Sequence, residues 1–181
     1  MRKLLSLLFF SLFFAGVLAS QNTAELPYLE LLYADDLTLI HITAPDGTKL
    51  NPSFGLKIAA GSVLVTSGST LFVIDPATGL DSKGFKGGFA LDGQATSRPA
   101  VLKDKAYVGT EKGTVYALDL RTGSVVSTGK PIGAGAKIAA IAPVDKLLTG
   151  DVKDQLIIVA NTPTSSVVTK VAADNVAAPL T

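Results

Sequence analysis

A four-residue segment occurs twice in identical form and sets a repeat length for the whole chain. Residues 57–60 and 137–140 both spell KIAA, and their first residues lie 80 positions apart. A related segment, residues 98–101, lies midway between them, and residues 175–178 follow the second copy by a similar half-interval. A repeat of about 40 residues with several short strands in each unit is typical of a propeller rather than of a solenoid.

The clearest unit is the stretch KAYVGTEKGTVYALDLRTGSVV, which runs from Lys105 to Val126. Polar and apolar residues alternate in two runs, and turns that contain Gly113 and Gly123 follow the first and second run. Alternation with period two and glycine-containing turns predict three short antiparallel strands. One such meander is not stable alone, so it must pack against copies of itself.

The other units supply those copies. Strands are predicted at residues 63–65 and 71–74 in the first unit, and at 146–149, 156–159 and 167–169 in the last. Residues 29–50 carry the later strands of a unit without its first strand, which residues 176–178 could provide. We therefore expect an all-β propeller of about four four-stranded antiparallel blades, closed by pairing of the N-terminal and C-terminal strands.

Residues 106–126 also resemble one blade of the quinoprotein-like β-propeller family, whose repeat is named after pyrroloquinoline quinone (PQQ). The resemblance implies four-stranded antiparallel blades arranged around a central channel. Members of the family usually close each repeat with a tryptophan that packs on the next blade, and this chain has no tryptophan. We therefore expect the fold of the family without its cofactor.

The N-terminus has the pattern of a secretory signal peptide. Arg2 and Lys3 precede an apolar run of about fifteen residues, and Val17-Leu18-Ala19 fits a small-residue cleavage site. The run is shorter than the roughly 20 residues of a membrane-spanning helix. We expect residues 1–19 to be removed and residues 20–181 to form a single propeller domain. Export without a cysteine, which excludes disulfides and a lipid-modified cysteine, predicts a periplasmic, cell-surface or extracellular protein.

The composition predicts a surface that associates with protein rather than with nucleic acid. Removal of Arg2 and Lys3 leaves 14 basic residues against 15 acidic ones, so the net charge changes from +1 to −1. No basic patch is available for nucleic acid or anionic lipid. Charged residues make up only 17% of the chain, against about a quarter in an average protein. An apolar surface of this kind favours contact with other proteins.

Residues of chemical interest are few, and each has a structural explanation. His41 is the only histidine and lies in a predicted strand, so a metal or catalytic role is not expected. Asp151, Asp154 and the pair Asp35-Asp36 could offer oxygens to calcium, but their spacing lacks a dense acidic loop and favours solvated turns. Asp75 and Asp119 recur in equivalent turns, where turn chemistry explains them.

The glycine-rich stretch at residues 82–94 does not have the pattern of a phosphate-binding loop. It contains Gly84, Gly87, Gly88 and Gly93, but no Gly-Lys-Ser/Thr motif follows it and no helix is predicted after it. We expect a long loop between strands. The sequence therefore predicts no catalytic, cofactor-binding or metal-binding residues and no cofactor.

Two functions remain open after these exclusions. The first is a non-catalytic, exported propeller that binds itself or another envelope protein, as a scaffold in the cell envelope or in an extracellular surface layer or filament. The second is a quinoprotein-type cofactor binder or enzyme, which would need a larger ring, calcium ligands and aromatic residues that stack on the cofactor. The first is favoured, together with an oligomeric state. Ring closure within one chain is favoured over a half-ring completed by a second chain, because the small residues of the repeated segments suit a crowded axis.

Overall fold

The computed structural model describes residues 29–30, 41–42, 56–133, 135–146 and 153–180. Every named element of these residues is a β-strand. The strands are β1 (Leu29–Glu30), β2 (His41–Ile42), β3 (Leu56–Ala59), β4 (Ser62–Ser67), β5 (Thr70–Ile74), β6 (Phe89–Ala90), β7 (Ala100–Leu102), β8 (Lys105–Gly109), β9 (Val115–Asp119), β10 (Val125–Gly129), β11 (Lys137–Val144), β12 (Gln155–Asn161), β13 (Ser166–Ala172) and β14 (Asn175–Pro179).

Twelve of these strands form three four-stranded antiparallel sheets, each from one continuous stretch of chain. We name them sheet 1 (β3 to β6), sheet 2 (β7 to β10) and sheet 3 (β11 to β14), and the strand order within each follows the sequence. The predicted all-β, antiparallel architecture is confirmed, and the recurring segments at residues 57–60, 98–101 and 137–140 overlap the first strand of each sheet. β1 and β2 form a separate two-stranded pair.

Sheet 2 lies between the other two sheets, and the side chains of its strands pack against both of them. Ala106 and Val108 of β8 pack in one apolar cluster with Leu64 of sheet 1. Tyr107, between them in sequence, belongs to a second cluster with Leu156 of sheet 3. Successive side chains of a strand point to opposite faces, so one short strand supplies both interfaces. The result is a stack of three sheets with an apolar layer on each side of sheet 2.

At two contacts between neighbouring sheets, glycine allows the chains to approach closely. Gly84, in the loop of sheet 1, and Gly123, in the last turn of sheet 2, both have positive φ, and a Cβ on either would collide with the backbone of the other turn. Gly109 of β8 lies against the side chain of Ile138 of β11, which occupies the space of a Cβ at this position. Glycine is required at both points because the neighbouring sheet leaves no room for a side chain.

The two copies of the KIAA segment have different structures. In sheet 1 the strand ends at Ala59, and Ala60 (φ 50°) and Gly61 (φ 71°) form a two-residue turn into β4. In sheet 3 the segment continues into an eight-residue strand with a bulge between Ile138 and Ala140. Gly61 permits the first turn, whereas Ile141 follows the second copy and extends the strand.

The C-terminal prediction needs correction. Residues 176–178, predicted as the first strand of a fourth blade, belong to β14, the last strand of sheet 3, which pairs with β13. Only Ala173 and Asp174 separate the two strands, and closing so short a loop costs far less entropy than pairing with the other end of the chain. The described sheets do not close into a ring, and the predicted pairing of the two termini is not among the described strand pairs.

One strand position also differs from the prediction, whereas the strand predicted at residues 146–149 falls almost entirely outside the described residues. The long loop predicted at residues 82–94 contains β6, the fourth strand of sheet 1, and buries the side chain of Phe85. The predicted signal peptide and most of residues 29–50 lie outside the described residues. Within the described part of the chain there is no helix long and apolar enough to cross a membrane.

Candidate interaction surface

The outer face of sheet 3 is apolar and has no described neighbour packed against it. On β12, Leu156, Ile158 and Ala160 are buried against sheet 2, whereas the intervening residues point away from it. Of these, Ile157 is 36% exposed, and Val168 of β13 is 66% exposed. We call this surface the open face and define it by Ala140, Ala142, Ile157, Val159, Val168 and Lys170.

The cross-strand register assembles the open face into continuous rows. Ala140 pairs with Val159, which pairs with Val168 on the next strand. Ala142, Ile157 and Lys170 form the adjacent row in the same way. Residues directly opposite on neighbouring strands share a face, so five apolar side chains and one lysine form a single patch.

The bulge in β11 determines which side chains reach this patch. Ile138 and Ile141 are both buried towards sheet 2, although they lie three residues apart. Strict alternation would place them on opposite faces. The extra residue of the bulge restores Ile141 to the core and leaves Ala139 and Ala140 exposed. Small residues therefore line the β11 side of the open face.

A charged pocket of about 230 Å³ lies between sheets 2 and 3. It forms where the β7–β8 turn approaches the start of β12 and the β13–β14 turn. Lys103 Nζ lies 2.7 Å from Asp154 Oδ2 and 3.9 Å from Asp145 Oδ1. The other carboxylate oxygen of Asp154 accepts a 3.0 Å hydrogen bond from the Lys146 N–H. Its lining residues are Leu102, Lys103, Lys105, Tyr107, Lys146, Lys153, Asp154, Ala173 and Asp174.

The ionisable groups of this pocket stabilise each other's charged forms. The hydrogen bond from Lys103 lowers the pKa of the Asp154 carboxyl, and the Lys146 N–H adds to this effect. The same bond with Asp154 raises the pKa of Lys103. Both residues stay charged at neutral pH, whereas a general acid or base must exchange protons in this range. The pair therefore links sheets 2 and 3 and is not arranged for proton transfer.

The turn aspartates accept hydrogen bonds from the backbone of their own turns, as the sequence predicts. Asp119 Oδ1 accepts hydrogen bonds from the N–H groups of Arg121 (2.9 Å) and Thr122 (2.7 Å) and from the Thr122 hydroxyl. The hydroxyl bond is the main reason that the pKa of Asp119 is lowered. Asp75 accepts a 2.8 Å bond from the Ala77 N–H in the equivalent turn of sheet 1. Their recurrence reflects the shared turn.

The structure does not bring the other candidate metal-binding residues of the sequence together in one site. His41 lies in β2 and pairs with Glu30 across the strand pair. Asp154 forms the ion pair with Lys103, while Asp151 and the pair Asp35-Asp36 lie outside the described residues. No group of three or more histidine, cysteine or acidic side chains suited to a metal ion occurs among the residues that the structure describes. Gly84 serves sheet packing, as described above.

Two features were missed by the sequence analysis. Asp92 accepts hydrogen bonds from the hydroxyls of Thr110 (3.0 Å) and Thr114 (2.6 Å), and so connects the loop after β6 to sheet 2. Nothing in the local sequence signals this long-range contact. The open face does have a signal, because β12 is apolar at both alternating sets of positions around Ile157. A strand with two apolar faces predicts a neighbour on each side.

Comparisons with known proteins support the fold alone. No family model and no curated protein matches the chain. Among solved structures, it is similar to the quinohemoprotein alcohol dehydrogenase from Comamonas testosteroni, with a TM-score of 0.54, 18% identity and 71% of this chain covered. It is also similar to the computationally designed Ika8 protein, with a TM-score of 0.51, 14% identity and 74% coverage. BamB from Moraxella catarrhalis matches 73% of the chain with a TM-score of 0.47 and 20% identity.

The chain has a propeller-like fold made of antiparallel sheets. It spans 36% of the Ika8 chain, 20% of the dehydrogenase chain and 43% of the BamB chain. At identities of 20% or less the likeness concerns backbone architecture, and function has to be inferred from the surfaces of this chain.

Proposed function

We propose that the chain is a non-catalytic, exported, propeller-like scaffold that binds other protein surfaces and assembles with copies of itself in the cell envelope or in an extracellular surface layer or filament. The observation that carries the proposal is the open face, on which Val168 is 66% exposed and Ile157 is 36% exposed. Exposed apolar patches on a sheet mark sites of protein association.

The composition supports this proposal. Only 17% of the residues are charged and the mean hydropathy is +0.42, so the chain has few charges that would repel other proteins from an apolar patch. The signal-like N-terminus supports export. Ring closure within one chain, with about four blades to which the N-terminal residues contribute, is the competing arrangement, because a fourth blade packed on sheet 3 would cover the open face.

The proposal predicts assembly of the purified mature protein. Sedimentation at micromolar concentration should show species larger than a monomer, or the protein should co-sediment with cell-envelope fractions of the expressing organism. An unrelated soluble protein of similar mass, which does not bind cell envelopes, serves as the control for non-specific sedimentation. A stable monomer that binds no envelope fraction would refute the scaffold function. N-terminal sequencing of the exported protein tests cleavage near Ala19.

The quinoprotein alternative is tested separately. Addition of PQQ and calcium to the purified protein should leave its visible absorbance equal to the sum of the components if the scaffold proposal holds. A shifted quinone band that saturates at one equivalent would support the cofactor binder instead. Lys103 and Asp154 are held in an ion pair with each other, and this arrangement favours the scaffold.

A further inference from the structure

We propose that two copies of the chain associate through their open faces, sheet 3 against sheet 3, as a twofold-symmetric dimer. The proposal rests on the scaffold function above and names the partner of its surface. Sheet-on-sheet packing already joins the three sheets within the chain, and sheet 3 uses its inner face for that purpose. The outer face is the next position in the same stack, so a further sheet is the natural occupant.

The other end of the stack determines the symmetry. Val63 (4% exposed), Val65 (0%) and Ile74 (0%) lie on the face of sheet 1 that points away from sheet 2, and all three are buried. A head-to-tail polymer needs a free sheet face at each end of the stack. Because the face at the sheet 1 end is buried, two copies that extend the stack of sheets can do so only through the same face. An interface between identical patches closes as a twofold dimer.

The charge on the open face is consistent with a second copy. Lys170 is the only charged residue among the six that define it. A strongly charged partner would find few complementary groups there. In a twofold arrangement the aliphatic stem of Lys170 can cover apolar surface while its ammonium group reaches water at the edge. The rows Ala140–Val159–Val168 and Ala142–Ile157–Lys170 would then pack against their own copies.

The size of the open face predicts a weak dimer. β12 and β13 have seven residues each, and strands of this length extend over about 23 Å. Four strands at about 4.8 Å spacing give a face of about 400 Å² per copy. Stable complexes bury about 800 Å² per partner, so a reversible dimer with a dissociation constant of micromolar or above is expected.

The first experiment is sedimentation velocity on the mature chain at concentrations from about 1 to 300 µM, compared with Val168→Asp. The wild-type chain should show a monomer–dimer equilibrium, and Val168→Asp should raise the dissociation constant at least about tenfold. Val125→Asp is the matched control, because Val125 is 45% exposed on β10, away from the open face. This variant should dimerise like the wild type. Equal melting temperatures of the three proteins confirm that each is folded.

The second experiment exploits the absence of cysteine from the chain. Val168→Cys should form disulfide-linked dimers under mild oxidation, and its maleimide labelling should slow as the protein concentration rises. Val125→Cys should do neither. Slow labelling of Val168→Cys in a monomer, independent of concentration, would overturn the proposal and assign the face to another segment of the same chain.

The outcomes separate this proposal from the scaffold function. Oligomers that persist unchanged in Val168→Asp would overturn the open-face dimer while leaving self-assembly through another surface. A wild-type chain that is monomeric at every concentration but binds envelope fractions would overturn the dimer and leave the scaffold function. A monomer that binds no envelope fraction would overturn both.

Discussion

The hydroxyl of Tyr107, in the middle of sheet 2, donates a 3.1 Å hydrogen bond to the carbonyl oxygen of Ala173, in the last turn of sheet 3. The two residues are 66 positions apart, and the Tyr107 side chain is fully buried. This bond fixes the position of the β13–β14 turn against sheet 2. Both residues line the charged pocket between sheets 2 and 3.

Tyr107→Phe should destabilise the fold without changing its shape. The substitution removes the only polar atom of a buried side chain and leaves the Ala173 carbonyl without this donor, at a cost of about 1 to 2 kcal/mol in the free energy of unfolding. Urea denaturation followed by circular dichroism measures the difference. Tyr116→Phe is the control, because the Tyr116 hydroxyl accepts a 3.1 Å bond at a partly exposed site and its loss should cost less.

The same residue should make the fold sensitive to alkali. Burial raises the pKa of Tyr107 well above its ordinary value of 10.0, and the charges of Asp154, Asp104 and Asp174 add to the effect. Because the folded state favours the neutral phenol, this contribution is complete below pH 10 and is lost as the pH rises through the higher folded pKa. The free energy of unfolding should fall above about pH 10, by up to about 1.4 kcal/mol per pH unit from this group.

A pH series with Tyr107→Phe isolates this effect from the titration of lysines in the same range. The variant should lose stability less steeply above pH 10 than the wild-type chain does. Parallel curves for the two proteins would show that Tyr107 is not the group responsible. Burial also raises the pKa of Tyr116, so Tyr116→Phe should reduce the slope to a smaller extent.

Gly109→Ala should be strongly destabilising because its Cβ would overlap the side chain of Ile138. Overpacking of this kind typically costs about 1 to 3 kcal/mol. Gly93→Ala is the matched control, since its Cβ would meet only the flexible side chains of Lys112 and Glu111, at 3.2 Å and 3.3 Å. Thermal unfolding measures both. The cost of Gly109→Ala should shrink when Ile138→Ala is added, and additive effects in the double mutant would contradict the proposed overlap.

Ala60→Asn should stabilise the chain. Ala60 has φ of 50° at the first position of a two-residue turn whose second residue is Gly61. The left-handed conformation costs an L-residue about 1 to 2 kcal/mol, and Asn-Gly is the preferred pair in such turns. A gain of about 0.5 to 1 kcal/mol is expected in chemical denaturation. Ala139→Asn places the same side chain on an exposed strand position and should bring no gain; equal stabilisation by both variants would argue against relief of turn strain.

Deletion of residues 174–181 should abolish cooperative unfolding or cause aggregation. It removes β14, whose Val176 is fully buried and whose N–H donates a 3.1 Å bond to the hydroxyl of Ser127 in sheet 2. The deletion therefore uncovers both a strand edge and part of the apolar cluster between sheets 2 and 3. Val176→Ala, which should lose about 1 to 3 kcal/mol but keep a single transition, is the comparison. Wild-type unfolding after the deletion would show that β14 contributes nothing.

The sequence predicted the strands that depend on local signals. Alternation and glycine turns located β8, β9 and β10 around Gly113 and Gly123, because these signals act within a few residues. The identical KIAA segments located the first strands of sheets 1 and 3. Their different ends, a turn at Ala60 and a bulge after Ile138, depend on the residue that follows each copy, which the repeat itself does not contain.

The remaining features depend on contacts between distant residues. The assignment of residues 176–178 to another blade was wrong because short-loop pairing with β13 competed with the symmetry of the repeat. Phe85 and β6 were missed in a stretch whose glycines predict a loop, although burial of one aromatic side chain is enough to order it. The apolar residues on both faces of β12 signal the open face, but the bulge of β11 determines which side chains of β11 reach it, and the sequence does not predict this bulge.

Among the described residues, each of sheets 1 to 3 is completed before the next one begins, and no strand is exchanged between these sheets. Every strand pairing in these three sheets therefore joins consecutive strands, and folding can advance from one sheet to the next along the chain. The same arrangement makes a whole repeat a unit that duplication can add or remove without breaking any strand pairing. The length of such a chain can change in evolution by steps of one sheet. Each added sheet then presents its outer face at the end of the stack.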